Sequence, residues 1–255
     1  MYQWTRNSIR FRIDAAEATK FDDNIVAQIL PDLPPNARVC DAGCGLGYTS
    51  LALARHCEHV TAVDINKAAL NVLRENIAAG GIKNIEVIEG DLFSMQPKEL
   101  YDAMVFCFFG HIEETLLAAK RQCCGTVYLI KKNWRNHRFT PGEIPLKNFT
   151  FQQTLLELDA LGISQRAETF PIEMGQPFRS LEDTMLFFET YRQEDDEESV
   201  SPEQVKRLLC ENDSVEFPFF LPAHRTLGLI AINVRDIPDR FRDSNADIGR
   251  NPVSK

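Results

Sequence analysis

The sequence predicts an α/β fold built as a three-layer sandwich, in which a mostly parallel sheet lies between two layers of helices. Strand and helix patterns alternate from about residue 38 to residue 132, as parallel strands joined by crossover helices require. A glycine-rich turn follows the first predicted strand, and acidic residues stand at the ends of the first three. This arrangement favours a ligand site at the carboxyl ends of the strands.

A helix is predicted ahead of the sheet. Apolar residues recur at helical spacing between Phe21 and Leu30, and a proline-rich segment at 31–35 ends the pattern. We therefore assign residues 1–35 to an N-terminal helical extension.

The central segment is predicted to hold five strands and three helices. The strands lie near 38–42, 59–64, 85–89, 102–107 and 126–131. The helices lie between them at about 48–57, 66–79 and 112–122. Asn66 is suited to cap the second of these helices, and Gly80 with Gly81 to end it.

The second half of the chain is predicted to complete the sheet. Its elements are a helix near 150–161, a strand near 164–172, helices at 181–191 and 201–210, and a last strand at 226–234. The main domain would thus span residues 36–235, with a helical insertion at about 175–222. A polar tail, expected to be mobile or on the surface, follows at 236–255.

Composition restricts the class of protein. Hydrophobic residues make up 44% and charged residues 25% of the 255 positions, which suits a globular domain with a core. The net charge of -9 disfavours an extended polyanion as substrate. No apolar run approaches the roughly 20 residues of a transmembrane helix, and no signal core follows Met1. We expect a cytoplasmic protein whose seven cysteines are free thiols.

The glycine-rich turn is the strongest candidate for a ligand site. In Asp41-Ala42-Gly43-Cys44-Gly45-Leu46-Gly47, the glycines allow a tight turn and a close approach of the backbone to a ligand. The helix that follows directs its free N–H groups at the same place. A dinucleotide fingerprint requires its third glycine where Tyr48 stands, and a phosphate loop requires a Gly-Lys-Ser/Thr sequence that is absent.

Acidic residues at the next two strand ends extend the pattern. Asp64 ends the second predicted strand, seventeen residues after Gly47, and the third ends in Gly90-Asp91-Leu92. A carboxylate at the end of a strand can accept hydrogen bonds from both vicinal hydroxyls of a ribose. The spacing therefore favours a nucleoside ligand.

These three segments together resemble class I S-adenosylmethionine-dependent methyltransferases over about residues 36–132. The resemblance implies a seven-stranded, Rossmann-like sheet of order 3-2-1-4-5-7-6, whose last strand is antiparallel. It implies S-adenosylmethionine as cofactor, S-adenosylhomocysteine as product, and no metal. The residues that it assigns to the cofactor are Asp41, Ala42, Gly43, Cys44, Gly45, Gly47, Asp64, Ile65, Asp91, Leu92 and Phe106.

The resemblance also assigns roles within this set. The loop that begins at Asp41 would hold the methionine and ribose parts, Asp64 the ribose, and Asp91 with Leu92 the adenine. N-terminal helices in such proteins commonly cover the cofactor. Trp4, Arg10, Phe11 and Arg12 would then belong to a lid over donor and acceptor, or to a helix that only packs on the sheet.

The end of the fourth predicted strand is expected to face the transferable methyl group. It lacks the Asn/Asp-Pro-Pro-aromatic tetrapeptide of families that methylate exocyclic base amines, and its apolar rim suits a small organic acceptor. His111 is the candidate general base because a histidine titrates near neutrality, although a histidine at a helix start can equally be a cap. Glu113 and Glu114 are alternatives that the helix dipole would also explain.

Two segments are candidates for binding the acceptor, besides Trp4. Residues 131–139 combine basic and aromatic side chains, among them Trp134 and Arg135, and this stretch suits a small anionic acceptor, a solvated loop or RNA. Arg179, near the start of a predicted helix, would line the acceptor pocket or serve as a cap.

The sequence therefore predicts an S-adenosylmethionine-dependent methyltransferase that acts on a small molecule by in-line displacement. The alternatives are an RNA or protein methyltransferase and a non-catalytic cofactor-binding module. An NAD enzyme is disfavoured by Tyr48. Neither nucleic acid nor membrane is expected as a partner, and a homodimer is compatible with the sequence.

Overall fold

A seven-stranded sheet forms the centre of the fold. The computed structural model describes residues 3–134, 150–192 and 200–241. The strands of both sheets in these residues are β1 (Arg38–Ala42), β2 (His59–Asp64), β3 (Ile85–Glu89), β4 (Tyr101–Cys107), β5 (Cys123–Lys132), β6 (Arg166–Glu173), β7 (Gln176–Phe178), β8 (Cys210–Glu211), β9 (Phe219–Leu221) and β10 (His224–Asn233). Its α-helices are α1 (Arg6–Thr19), α2 (Phe21–Ile29), α3 (Tyr48–Ala54), α4 (Lys67–Gly80), α5 (Ile112–Gln122), α6 (Phe151–Leu161), α7 (Leu181–Thr190) and α8 (Pro202–Leu208).

The order of strands in the main sheet is β3-β2-β1-β4-β5-β10-β6. Neighbouring strands from β3 to β5 are parallel, whereas β10 runs antiparallel to both β5 and β6. Counted within this sheet alone, β10 is the seventh strand, so the predicted order 3-2-1-4-5-7-6 is confirmed. The order of the strands reverses between β1 and β4, which is where open parallel sheets bind their ligands.

The helix ends follow from local sequence. The Asn66 side chain accepts a hydrogen bond from the Ala69 backbone N–H and starts α4, while Gly81, in the left-handed region at φ 63°, ends it. The predicted roles of Asn66 as N-cap and of Gly81 at the C-terminus of α4 are therefore confirmed.

Two apolar layers enclose the sheet. Val105 and Phe106 follow one another in β4 and therefore point to opposite faces. Val105 packs with α2 residues such as Ile25, while Phe106 packs with α5 residues such as Leu116, and all four side chains are fully buried. The two layers hold the strand ends of the main sheet in fixed register.

A third apolar cluster joins α1 to the segment 175–222. Phe11 of α1 lies edge-on to Phe187, with ring centroids 5.1 Å apart and planes at 86°. The buried members of the cluster are Phe11, Phe178, Phe187, Phe188 and Val205. We call α1 together with residues 175–222 the cap.

The cap also contains a small sheet that the sequence did not predict. Strands β7, β9 and β8 pair antiparallel in that order. Each has only two or three residues, which is too short for an alternating pattern to be recognised. The segment expected to be a helical insertion is therefore a mixture of helices and strands.

Two ion pairs fasten α1 to the rest of the cap. Arg10 donates to both carboxylate oxygens of Asp183 at 3.2 and 2.5 Å. Arg179 donates to both oxygens of the buried Asp14 at 2.6 and 3.0 Å. Bidentate pairs of this kind fix orientation as well as distance.

The first part of the C-terminal tail differs from the expectation of a polar surface segment. Ile237 and Phe241 are buried against the main core. Lys120 of α5 donates a hydrogen bond of 2.6 Å to the carbonyl of Ile237. The remaining residues, 242–255, lie outside the described part of the chain.

None of the helices in the described part of the chain combines the length and the apolar character that a membrane crossing requires.

Gly228 of β10 provides a test of the packing between α6 and the sheet. A Cβ atom added there would lie 2.0 Å from the ring of Phe151. We expect Gly228→Ala to lower the free energy of unfolding by about 1–3 kcal/mol through overpacking, as measured by urea unfolding. Gly90→Ala, whose added Cβ would have no neighbour closer than 3.8 Å, is the matched control.

A second variant separates overpacking from other effects of the substitution. Combining Gly228→Ala with Phe151→Leu should cost less than the sum of the two single changes, since leucine leaves room for the new methyl group. A stable Gly228→Ala protein would contradict the described contact.

Candidate functional site

The glycine turn lies at the carboxyl end of β1, beside the end of β4. Gly43 and Gly45 have φ angles of 68° and 54°, in the left-handed region that favours glycine. The Cys44 N–H donates to the carbonyl of Val63 at 3.0 Å, so the turn is tied to the end of β2. The turn thus brings glycine backbone to the point where the strand order reverses.

Asp64 holds this turn from the neighbouring strand. Its Oδ2 atom accepts the Gly45 N–H at 2.9 Å, and its Oδ1 atom accepts the Asn66 N–H at 2.8 Å. An ionised carboxylate offers about four acceptor positions, so two backbone bonds leave about half of its capacity available. Asp64 lines the cavity described below and can accept from a diol there.

Aromatic rings cover the two glycines. A Cβ at Gly43 would lie 2.4 Å from the ring of Phe109, and one at Gly45 would lie 3.0 Å from the ring of Trp4. At Gly47 the added atom would instead meet Leu73 of α4 at 2.4 Å. Gly43 and Gly45 therefore shape the site, whereas Gly47 permits packing between the turn and α4.

Asp41 is a buried carboxylate beneath the turn, with 1% exposure. Burial raises its pKa to about 7, and the hydrogen bond that it accepts from Ser50 Oγ at 2.5 Å partly opposes this shift. The negative charges of Asp22 and Asp64 raise the pKa further. A positively charged ligand group nearby would favour the ionised form.

A cavity of about 950 Å³ opens beside the turn. This volume lies near the upper end of the range for small-molecule sites, about 300–1,000 Å³. The predicted site residues that line it are Trp4, Asp41, Gly43, Cys44, Gly45, Asp64, Ile65, Asp91, Leu92, His111 and Trp134. The structure therefore brings together residues from the N-terminus and from the ends of β1 to β5.

Other predicted site residues lie elsewhere. Ala42, Gly47 and Phe106 are not among the residues that line the cavity, and Ala42 and Phe106 are fully buried in the core. Arg179 also lies away from the lining and pairs with Asp14 and with Glu216 at 3.1 Å. Arg135 lies outside the described residues.

The residues after β4 line the cavity, whereas Phe106 lies behind them. Phe109 stacks between Phe93 and Phe106, with centroid distances of 5.5 and 6.3 Å. Phe108, Phe109 and Gly110 all line the cavity. The contribution of Phe106 to cofactor binding stays a prediction.

Asp91 has a local structural role as well as a place in the cavity. Its carboxylate caps a short 3-10 turn by accepting from the Phe93 N–H at 3.0 Å and from Ser94 Oγ at 2.9 Å. These bonds fix the carboxylate at the end of β3. Like Asp64, Asp91 keeps acceptor capacity for a ligand.

Arg12 and Asp22 form an ion pair in the wall of the cavity that the sequence did not predict. Arg12 of α1 donates to both oxygens of Asp22 at 2.8 and 2.9 Å, and Thr49 Oγ1 donates to Asp22 at 3.0 Å. The Arg12 guanidinium also lies over the rings of Phe21 and Tyr48, at 4.3 and 5.3 Å from their centroids. No short motif links Arg12 and Asp22, which explains why sequence analysis placed Arg12 only within a lid.

Of the three candidates for a general base, two line the cavity. His111 is the N-cap residue of α5, and Glu114 lies in its first turn. Glu113 is not among the lining residues.

The basic and aromatic stretch after β5 divides between core and cavity. Lys131 is buried, donates to the Gly110 carbonyl at 3.4 Å, and has a pKa lowered by burial to about 8. Lys132 and Trp134 line the cavity. Within the described residues, no group of three or more His, Cys, Asp or Glu side chains is arranged to hold a metal ion.

Comparison with known sequences identifies the central segment. Residues 39–127, from β1 into β5, match the family model of a methyltransferase domain. Over 67 residues the chain is 36% identical to ribosomal protein L11 methyltransferase of Caldanaerobacter subterraneus, covering 26% of this chain and 22% of that protein. Over 86 residues it is 29% identical to the "Probable cobalt-precorrin-6B C(15)-methyltransferase (decarboxylating)" of Methanococcus vannielii, covering 34% and 48% respectively. The matched segments thus span less than half of either relative.

Comparison with solved structures agrees on the fold. A SAM-dependent methyltransferase from Aquifex aeolicus superposes with a TM-score of 0.53 at 19% identity, covering 66% of this chain and 94% of that one. The family model and the order of the strands in the main sheet agree with this methyltransferase fold. Residues 39–127 thus match a methyltransferase domain, and the main sheet has the Rossmann-like fold of S-adenosylmethionine-dependent methyltransferases.

Proposed function

We propose that this protein transfers a methyl group from S-adenosylmethionine to a small-molecule acceptor by in-line displacement. The observation that carries the proposal is a cavity in which the glycine turn and the acidic strand ends face a second, largely aromatic wall. Such a cavity has room for a donor and an acceptor side by side.

The residues on the strand side fit the donor. Gly43 and Gly45 line the cavity without a side chain, the Asp64 carboxylate has acceptor capacity for a ribose diol, and the Asp91 carboxylate can accept from an adenine amino group. The Asp41 carboxylate is buried, so water does not stabilise its negative charge. A cationic group of the donor nearby would stabilise that charge instead. These groups would bind and orient the donor.

The donor, when bound, supplies a methyl group already activated by the positive charge of its sulfonium. The protein then has to hold the acceptor in line and to exclude water. Trp4, whose ring lies over Gly45, and the Arg12–Asp22 pair line the cavity. We propose that they exclude water and help to orient the acceptor. For an acceptor that must lose a proton, we propose His111 as the base, with Glu114 as the alternative.

Charge favours a small acceptor over RNA. Among the described residues that line the cavity, five are acidic and two are Arg or Lys. The acids are Asp22, Asp41, Asp64, Asp91 and Glu114, and the bases are Arg12 and Lys132. Binding of RNA depends on clustered positive charge that neutralises phosphates. This lining supports a compact organic molecule instead.

A protein acceptor is the second candidate function. The similarity to ribosomal protein L11 methyltransferase favours it, since that relative shares 36% of its residues over the matched segment. That segment covers only about a quarter of this chain. The aromatic lining of the cavity gives the small-molecule proposal its stronger support.

Calorimetry tests the proposed donor directly. Titration with S-adenosylmethionine and S-adenosylhomocysteine should give saturable binding at one site per chain, whereas NAD should not bind. Binding of NAD alone, or of none of the three compounds, would refute the proposed function.

Substitution of Asp64 tests the proposed ribose contact. Asp64→Asn keeps the shape of the side chain but loses the charge and one of its acceptors. The binding free energy of S-adenosylhomocysteine should therefore weaken by about 1.5–3 kcal/mol. Glu89→Gln, at an exposed carboxylate that ends β3 outside the cavity, is the matched control and should bind like the parent. Equal affinity of Asp64→Asn and the parent would show that Asp64 does not contact the ligand.

Asp41 gives a prediction about stability and pH. In the unfolded chain this carboxyl ionises near pH 4, whereas in the folded protein it keeps its proton up to about pH 7. The folded state then binds more protons in this window, and the free energy of unfolding falls as pH rises from about 4 to 7. The loss is on the order of 4 kcal/mol at most.

Asp41→Asn removes this titration. Its stability relative to the parent should therefore increase between about pH 4 and pH 7, as measured by urea unfolding at both ends of the window, while its affinity for S-adenosylhomocysteine decreases. Asp213→Asn, at an exposed position, serves as the control for loss of a negative charge. Parallel pH profiles for Asp41→Asn and the parent would contradict the described burial.

A further inference from the structure

Phe108 has an unusual backbone conformation for an aromatic residue. Its φ angle is 55°, in the left-handed region that bulky side chains rarely adopt. The Phe108 N–H donates to the carbonyl of Ile130 at 3.0 Å, so the end of β5 holds the residue in place. Strain of this kind persists where the surrounding structure enforces it, and it is concentrated at functional sites.

The side chain of Phe108 is also exposed in an unusual way. It is 36% exposed although it is large and apolar, and it lines the cavity. Its neighbour Phe109 is packed between Phe93 and Phe106 and covers Gly43. The two consecutive phenylalanines therefore serve different sides of the cavity, with Phe109 on the donor side and Phe108 towards β5.

Further aromatic side chains line the cavity with Phe108. The chain has two tryptophans, Trp4 and Trp134, and both line it. Tyr191, at the end of α7, also lines it and is anchored in the cap by contact with Phe187, with ring centroids 4.8 Å apart. These rings come from four separate parts of the chain, so no single local packing requirement explains their convergence.

We propose that Phe108 is a stacking platform for the acceptor and that the acceptor is a flat, conjugated organic molecule. This inference rests on the proposed function, because it names the class of molecule that would receive the methyl group. A ring at this place selects planar ligands through stacking geometry, which a puckered ring of equal size cannot adopt. The conformation of Phe108 presents the ring to the cavity instead of to the core.

The test compares two probes with the same carbon skeleton. 2-Naphthol is flat, whereas decahydro-2-naphthol is puckered and at least as apolar. Each is titrated by calorimetry into protein saturated with S-adenosylhomocysteine. We expect 2-naphthol to bind about fivefold more tightly or better, as a stacking contribution requires.

Variants then assign the preference to Phe108. Phe108→Gly suits the left-handed backbone, so its thermal midpoint should stay within about 4 °C of the parent value, because relief of strain offsets lost packing. The preference for 2-naphthol should disappear in this variant while S-adenosylhomocysteine affinity is retained. Leu156→Ala, which removes an apolar side chain that is 70% exposed on α6, is the control and should keep the preference.

The outcomes separate this inference from the proposed function. Failure of S-adenosylhomocysteine to bind refutes the proposed function, and the two probes are then compared on the protein alone. Equal affinity for both probes, binding of neither, or a preference that survives in Phe108→Gly overturns the role of Phe108.

Discussion

The contact between the Asp64 carboxylate and the Gly45 N–H is the interaction on which the site depends. It joins the turn after β1 to the end of β2, and the same carboxylate also receives the Asn66 N–H that leads into α4. One side chain therefore fixes the turn, the strand end and the start of the next helix. Together with the bond from the Cys44 N–H to the Val63 carbonyl, it links the left-handed turn to the strand that carries Asp64.

The order of the strands gives this contact its functional meaning. Because the order of the strands reverses between β1 and β4, the ends of these strands leave a crevice that the helices do not cover. The cap closes the other side, since α1 is bound to residues 175–222 by the Phe11 cluster and by the Arg10–Asp183 and Arg179–Asp14 pairs. The sheet thus supplies the proposed donor side of the cavity, and the cap contributes Arg12 and Tyr191 to its lining.

The sequence predicted the sheet, and it points to the residues of the proposed donor side, because both have local signals. The glycine turn, Asp64 and Asp91 each follow directly on an apolar strand, and glycine is required where φ is positive. The acceptor side depends on contacts between distant residues. Arg179 and Asp14 are 165 positions apart, so the ion pair that removes Arg179 from the cavity left no local pattern.

A structure of the protein crystallised with S-adenosylhomocysteine is the most direct test of the central claim. We expect the two ribose hydroxyls within about 2.5–3.0 Å of the Asp64 carboxylate, with the Gly45 N–H bond to Asp64 intact. An adenosyl group bound away from Asp64, or a turn still filled by the ring of Trp4 with no ligand beside it, would contradict the account.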